Sequence, residues 1–318
     1  MNKEETKIIF WGTSEFAKEI LASLLENKYT ISLVVTQTDK KIGRNQEFKL
    51  NPVKEFSISN KIPVLQPQVF DREIAANIRR FNPDLMVVVA YGKIIPEEIL
   101  GIPKSKSINV HPSLLPKFRG PSPIQNAILS GEKETGITIM LLDKKMDHGD
   151  ILNQTKIQIG PDDTTETLTQ KIIAPSSKLL QKTIPDWIDG KITPQKQNDS
   201  EATYCQLIER EDGHIFWDEE IKAIYNKYRA LQSWPGIFSA WENNNNLMRI
   251  KLNKIKVYGE KPDSAHRLGE VVSLNVQVGV RAADGIIILE EIQLQGKKPV
   301  AINEFINGYP NFVGSILK

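Results

Sequence analysis

The first half of the chain alternates short β-branched runs with amphipathic stretches, and few architectures accept that order. Lys7–Trp11, Ile31–Thr36, Asp84–Ala90 and Ser107–Val110 have strand length, while Ser14–Glu26, Pro52–Asn60 and Asp71–Phe81 carry apolar residues at helical spacing. Ser14 and Asp71 stand where N-caps belong, and Pro83 ends the third helical stretch. Strands separated by helices cross over to pair in parallel, so the order predicts an α/β domain with helices on both faces of a parallel sheet. Gly136–Leu142 and Ile151–Ile157 read as further strands, and Thr164–Ile188 as a long helix interrupted or kinked near Pro175.

The pattern changes after Gly190. Lys191–Ser200 is polar and reads as a linker. A helical stretch, Asp218–Leu231, ends at Trp234-Pro235-Gly236. Phe238–Trp241, Leu247–Tyr258, Gly269–Leu274, Val276–Arg281 and Gly285–Leu294 then read as strands. Turn signals at Asn243–Asn246, Pro262-Asp263-Ser264 and Asp284-Gly285 separate them, a spacing that predicts a small β-barrel. A length of 318 residues fits two domains, here 1–190 and 208–318 joined by a linker at 191–207.

Hydrophobic content of 40% and charged content of 25% exclude a disordered or fibrous chain. A net charge of +2 permits a nucleic-acid partner without demanding one. Cys205 stands alone, which forbids an intrachain disulfide and suits a reducing compartment. The N-terminus is charged, and no apolar run approaches the roughly 18–20 residues that span a bilayer. A cytoplasmic protein with no membrane contact is expected, and nothing demands more than a monomer. No His, Cys and carboxylate cluster has metal-ligand spacing, so no metal is expected.

The turn after the first strand, Gly12-Thr13-Ser14, has one glycine where a dinucleotide fold needs several, which argues against a nicotinamide cofactor. Asn109-Val110-His111 is more informative. Strand alternation puts the amide and the imidazole on one face, at the carboxyl end where open α/β sheets hold ligands. Such a pair can donate to a developing oxyanion, or it can simply satisfy loop backbone. Asp147, in Met146-Asp147-His148-Gly149-Asp150, could reach the imidazole; Asp143 and Asp150 compete on spacing alone.

Asn109, His111, Ser113-Leu114-Leu115-Pro116 and the Asp147 turn resemble the signature of 10-formyltetrahydrofolate-dependent formyltransferases. Val87–Gly92, Pro123-Ile124-Gln125, Thr135–Met140, Ala202-Thr203-Tyr204 and Trp234-Pro235-Gly236 look specifically like the methionyl-tRNA formyltransferases. The resemblance implies a Rossmann-like catalytic domain, a linker and a C-terminal barrel of the OB type. It implies transfer of a formyl group from 10-formyltetrahydrofolate to the α-amino group of initiator methionyl-tRNA. Asn109, His111 and Asp147 are then catalytic, Ser113, Leu114, Leu115 and Pro116 line the folate site, and Tyr91 and Gly92 border the pterin. Periodicity alone reads Val87–Val89 as core.

Gln37–Lys54 carries Lys40, Lys41, Arg44, Lys49 and Lys54 against Asp39 and Glu47, which on charge alone is a solvated loop. In the family a loop at this place with Gly-Arg at its centre enters the acceptor stem, and Gly43-Arg44, Gln37 and Asp39 match it. Asn45-Gln46-Glu47 depart from the family's Gly and basic pair. Arg249 with Lys251, and Lys254 with Lys256, are expected to form two basic patches, as plain solvated surface or as a tRNA surface. His148 stands where the family has a small residue and receives no role; His214 and His266 read as surface residues. Three rivals remain open: an amino-sugar N-formyltransferase, a formyl-folate hydrolase, and an RNA-binding protein built on an inactive enzyme.

Overall fold

Lys7–Gly12 (β1) is buried on both faces: Ile8 and Phe10 on one, Ile9 and Trp11 on the other, all fully inaccessible. A strand apolar on both sides belongs in the middle of a covered parallel sheet, and β1 lies between its neighbours there. In this computed structural model residues 2–42, 47–258 and 266–318 are described. Gly43, Arg44, Asn45, Gln46 and the Pro262-Asp263-Ser264 turn lie outside them, as do the side chains of Lys40, Lys41 and Glu47.

The chain continues through helix α1 (Glu15–Glu26), β2 (Thr30–Val35), β3 (Lys40–Ile42), β4 (Glu47–Lys49), α2 (Pro52–Ser59), β5 (Val64–Leu65), α3 (Arg72–Arg80) and β6 (Leu85–Val89). The expected caps are in place. Ser14 accepts from the Ala17 N–H at 3.3 Å, and Asp71 accepts from the Ile74 N–H at 2.9 Å. β3 and β4 pair as a small antiparallel hairpin where the sequence suggested an unstructured loop. Then follow α4 (Glu97–Leu100), β7 (Ser107–His111), α5 (Pro123–Leu129), β8 (Glu134–Leu141), β9 (Ile151–Gln158) and α6 (Thr165–Ile188).

The main sheet has the order β5-β2-β1-β6-β7-β8-β9. It is parallel through β7, as expected, but β8 runs antiparallel to both β7 and β9. A crossover needs a dozen or more residues, and the turn between Leu141 and Ile151 is too short for one, so β8 and β9 form a hairpin. α6 runs as one helix through Pro175 and Pro185, so of the interruption or kink expected near Pro175 the interruption is absent. Pro185 cannot donate to the Gln181 carbonyl; the Tyr29 hydroxyl, 3.5 Å away, donates to it instead.

The chain divides into two compact units. One comprises Met1–Pro123, Glu134–Ile159 and Leu168–Gln206; the other comprises Ile124–Lys133, Gly160–Thr167 and Leu207–Lys318. In the second unit, helix α7 (Ile221–Leu231) precedes β10 (Ile237–Asn243), β11 (Asn246–Tyr258), β12 (Val271–Leu274), β13 (Gln277–Arg281), β14 (Ile286–Leu294), β15 (Val300–Ala301) and α8 (Ile302–Gly308). The strands order as β10-β11-β14-β13-β12, with β15 beside β14. Asn244 and Asn245, both at positive φ, make the two-residue hairpin loop between β10 and β11. The last residues close the sheet: Ile316 bridges Glu270 beside β12 and Leu317 bridges Trp241 in β10. Closure removes the exposed edges of a small antiparallel sheet. Trp241, fully buried, packs edge-on against Phe305, Tyr309 and Phe312, so α8, which has no strong periodicity to announce it, caps the barrel core.

Gly136 in β8 is required for close packing in the first unit. A Cβ there would collide with the Leu114 side chain and the Thr155 carbonyl. Gly136→Ala is expected to lower unfolding stability by about 1–3 kcal/mol through overpacking. An unchanged denaturant midpoint would contradict the placement of Leu114.

Candidate active site

β7 ends on His111, and strand alternation turns Asn109 and His111 to one face while Ile108 and Val110 fill the core on the other. Asn109 is buried, and among the described residues its amide has no hydrogen-bond partner. His111 Nε2 is 3.0 Å from the Phe118 carbonyl. A carbonyl only accepts, so Nε2 carries a proton and donates. The other ring nitrogen, Nδ1, faces Asp147 Oδ1 at 3.7 Å. That distance exceeds a hydrogen bond and leaves Nδ1 able to meet a third group.

Asp147 is the carboxylate beside the imidazole. Asp143 instead accepts from the Lys145 N–H at 2.8 Å and holds His148 Nδ1 at 2.9 Å. The Asp147 backbone has φ +49°, in the left-handed region that a short polar residue tolerates better than most. Its Oδ2 accepts from the Gly120 N–H at 2.8 Å, which orients the carboxylate. The side chain is 13% exposed and the imidazole 5%, so both sit in a largely dry recess.

The loop after β7 is held from within. Ser113 Oγ donates to the Lys117 carbonyl at 2.6 Å. The buried Thr138 hydroxyl donates to the Ser113 carbonyl at 2.7 Å and accepts from the Leu115 N–H at 3.1 Å. Gln154 Nε2 donates to the Leu115 carbonyl at 2.8 Å. Ser113 and Leu115 therefore turn their side chains into the interior, whereas Leu114 and Pro116 keep accessible surface.

Tyr91 also turns inward. Its ring meets Trp11 edge-on at 4.9 Å, and burial pushes its phenol up to about 12. Its carbonyl accepts from Gln37 Nε2 at 2.6 Å and Thr13 Oγ1 at 3.2 Å. Gly92 is exposed at φ +77°, and a Cβ there would crowd Gln37 Nε2 at 2.7 Å. At the foot of the 37–54 segment, Lys54 pairs with Asp39 and Gln66 donates to the Gln37 carbonyl at 2.7 Å. Lys49 is exposed.

Residues to which the sequence gave no role surround the Asp147 turn. Arg119 is 1% exposed, and its Nε and Nη2 donate to Gln197 Oε1 at 3.0 and 2.9 Å. Nη2 also donates to Asp199 at 2.8 Å, and Nη1 to the Tyr204 hydroxyl at 3.1 Å. The guanidinium holds the Asp199 carboxyl below the usual carboxylate range. His148 Nε2 lies 3.4 Å from the other Asp199 oxygen. Gln197 and Asp199, read from composition as linker, are thus packed against the site. A polar composition suits a solvated linker and a hydrogen-bonded wall equally.

On β11, Ile250, Leu252 and Ile255 point inward, and the register shifts between Leu252 and Ile255. This bulge advances the alternation by one residue. It puts Lys254 and Lys256 on the same outward side as Arg249 and Lys251, in place of the two patches expected. Arg249 stacks 3.8 Å over Phe238 and pairs with Glu211 at 3.1 Å. Lys254 and Lys256 share Glu290. Among the described residues Lys251 has no carboxylate partner. No group of three or more His, Cys, Asp or Glu among the described residues is arranged to hold a metal, and no helix among them is long and apolar enough to cross a membrane.

Residues 6–184 match the formyl transferase family and residues 207–310 the formyl transferase C-terminal domain. The methionyl-tRNA formyltransferase of Caldicellulosiruptor saccharolyticus is 40% identical over 316 residues, covering 98% of this chain and 99% of the relative. Among solved structures, an N-formyltransferase from Helicobacter canadensis superposes with a TM-score of 0.64 at 21% identity, covering 89% of this chain and 98% of that one. A variant of HypX from Aquifex aeolicus superposes with a TM-score of 0.65 at 16% identity over 97% of this chain, which spans half of the longer HypX. These two share the fold. The parallel-dominated sheet, the barrel after it and the near-full-length similarity agree: the chain belongs to the methionyl-tRNA formyltransferase family.

Proposed function

We propose that the protein transfers the formyl group of 10-formyltetrahydrofolate to the α-amino group of initiator methionyl-tRNA, in the cytoplasm, with Asn109, His111 and Asp147 as its catalytic residues. The observation that carries this reading is their convergence at the carboxyl end of β7: an amide without a partner among the described residues, an imidazole whose Nδ1 has no hydrogen bond among them, and an oriented carboxylate. The accessible surfaces of Gly92, Leu114 and Pro116 border the same strand ends and suit the flat ring of a folate. Tyr91, Ser113 and Leu115 support that border from beneath through their backbone.

An α-amino group titrates near about 7.7–8.0, and its acyl ester lowers that value, so a neutral amine attacks the formyl carbon without a strong base. Asn109 Nδ2 and protonated His111 Nδ1 donate to the oxygen that gains charge. Preorganised donors in a dry recess stabilise that charge far more than water does. The Phe118 carbonyl fixes the ring by accepting a hydrogen bond from Nε2–H. Asp147 offsets the imidazolium and takes, through water, the proton shed by the amine. The bond from the formyl carbon to the folate nitrogen then breaks, and that nitrogen leaves carrying the proton that Asp147 took from the amine.

For RNA, the outward side of β11 supplies Lys251 as an uncompensated charge, with Arg249 and the Lys254–Lys256 pair partly neutralised by Glu211 and Glu290. Lys40, Lys41, Arg44 and Lys49 of the 37–54 segment are proposed to meet the acceptor end, on the strength of the resemblance. Phosphate contacts of this kind supply affinity and not sequence reading.

The direct test is incubation with formyl-folate and charged initiator tRNA, scoring acid-stable formyl-methionine. Formylation of an amino sugar but not of methionyl-tRNA, or formate release without an acceptor, would reject the reading. Asn109→Ala is expected to lower kcat by about 10²–10³, the usual cost of one oxyanion donor. Asp147→Asn is expected to nearly abolish transfer while tRNA binding persists in a filter assay; near-normal turnover would remove Asp147 from the mechanism. Lys251→Ala should make log affinity for the tRNA less steep in log salt by about one unit. An unaltered slope would take Lys251 off the RNA surface.

A further inference from the structure

The carboxamide of Gln197 has no freedom to flip. Its Oε1 receives two N–H groups of the buried Arg119, at 3.0 and 2.9 Å, so that end must be the oxygen. Its Nε2 then faces the turn that carries Asp147, where one hydrogen reaches the Asp147 carbonyl at 2.9 Å and the other the Gly149 carbonyl at 2.8 Å. Every polar position of the amide is used. Gly149 itself admits no side chain, since a Cβ would collide with the Leu141 carbonyl.

The contacts close a ring. Arg119 holds Gln197, Gln197 holds the backbone of Asp147, and Asp147 Oδ2 returns to the N–H of Gly120, the residue after Arg119. One arm of the ring fixes where the Asp147 backbone sits and the other fixes which way its carboxylate is turned. The remaining oxygen, Oδ1, is the one that faces His111 Nδ1. We infer that Gln197, locked by Arg119, is a positioning residue for Asp147: it sets the carboxylate against the imidazole without touching the reacting atoms. The inference rests on the transfer reading above and adds the segment after α6 to the machinery.

Asp199 shares Nη2 of Arg119 with Gln197 and faces His148 with its other oxygen, while Tyr204 takes Nη1; both stand on exposed positions and anchor Arg119 without touching the Asp147 backbone or carboxylate. The force of the arrangement lies in its directionality. An apolar side chain of the same size would fill the space and lose both donors, leaving the left-handed Asp147 backbone held on one side only.

The test uses Gln197→Met, which keeps the bulk, and Gln197→Glu, which keeps an oxygen for Arg119 but loses the N–H donors. Both are expected to lower kcat, by up to about 10²-fold, as small misplacements of a catalytic group do, with KM for folate and for tRNA unchanged. A packing role would be rescued by Met; a positioning role would not. A second arm needs no substrate. The chain has four histidines, so ¹⁵N-histidine labelling gives a resolvable spectrum. The His111 ring signals in Gln197→Met should move toward those of Asp147→Asn, while those of His214 and His266 stay fixed. Wild-type kcat, or a joint fall of kcat, KM and melting temperature, would overturn the inference, and so would an unmoved His111 signal. If the wild-type chain makes no formyl-methionine, the transfer reading falls, and the His111 signals still decide this one.

Discussion

The hydrogen bond from the Gly120 N–H to Asp147 Oδ2, 2.8 Å long, ties together the two loops of the proposed site. His111 comes from the end of β7 and Asp147 from the turn between β8 and β9, so neither strand pairing nor local conformation alone sets their separation. The cost of holding Asp147 at φ +49° is about 1–3 kcal/mol. A hydrogen bond to a charged acceptor contributes about 1.5–3 kcal/mol. The two are comparable, so the carboxylate bond offsets the strain, and the Gln197 amide on the Asp147 carbonyl holds the same backbone from its other end.

Around this tie the loops are kept dry and rigid by buried polar groups that are satisfied. Thr138 serves the loop after β7 with one hydroxyl, donating to Ser113 and accepting from Leu115. Arg119 spends its donors on Gln197, Asp199 and Tyr204. A buried guanidinium without such partners would cost several kcal/mol, so its location shows how much of the loop geometry is organised about it. The barrel follows the opposite logic. The basic residues of β11 lie outward, where salt screens charges beyond about 8–10 Å, and Glu211 and Glu290 leave that side modestly positive, whereas Arg229 in α7 is buried.

Local signals in the sequence were accurate. Ser14 and Asp71 cap the helices expected of them, and Asn244-Asn245 makes the hairpin, because caps and two-residue turns depend only on neighbours. Asn109, His111 and their shared face follow from strand alternation; spacing left Asp143 and Asp150 open, the resemblance chose Asp147, and the fold sets it beside the imidazole. What was not legible depends on single breaks in periodicity. The left-handed Ala90, at φ +44°, turns Tyr91 to the side of Met86 and Val88, so its ring is core where the resemblance placed it beside the pterin. The bulge in β11 is marked by neither glycine nor proline, and it moved Lys254 and Lys256 to the side of Arg249. Gln197 was hidden by composition.

The central claim is that an amide, an imidazole and a carboxylate meet around one carbon. The most direct measurement is a crystal structure with a stable formyl-folate analogue bound. The account predicts the formyl oxygen within hydrogen-bond distance of Asn109 Nδ2 and His111 Nδ1, with Asp147 on the side from which an amine approaches. A folate bound with its formyl group away from these three side chains would contradict it.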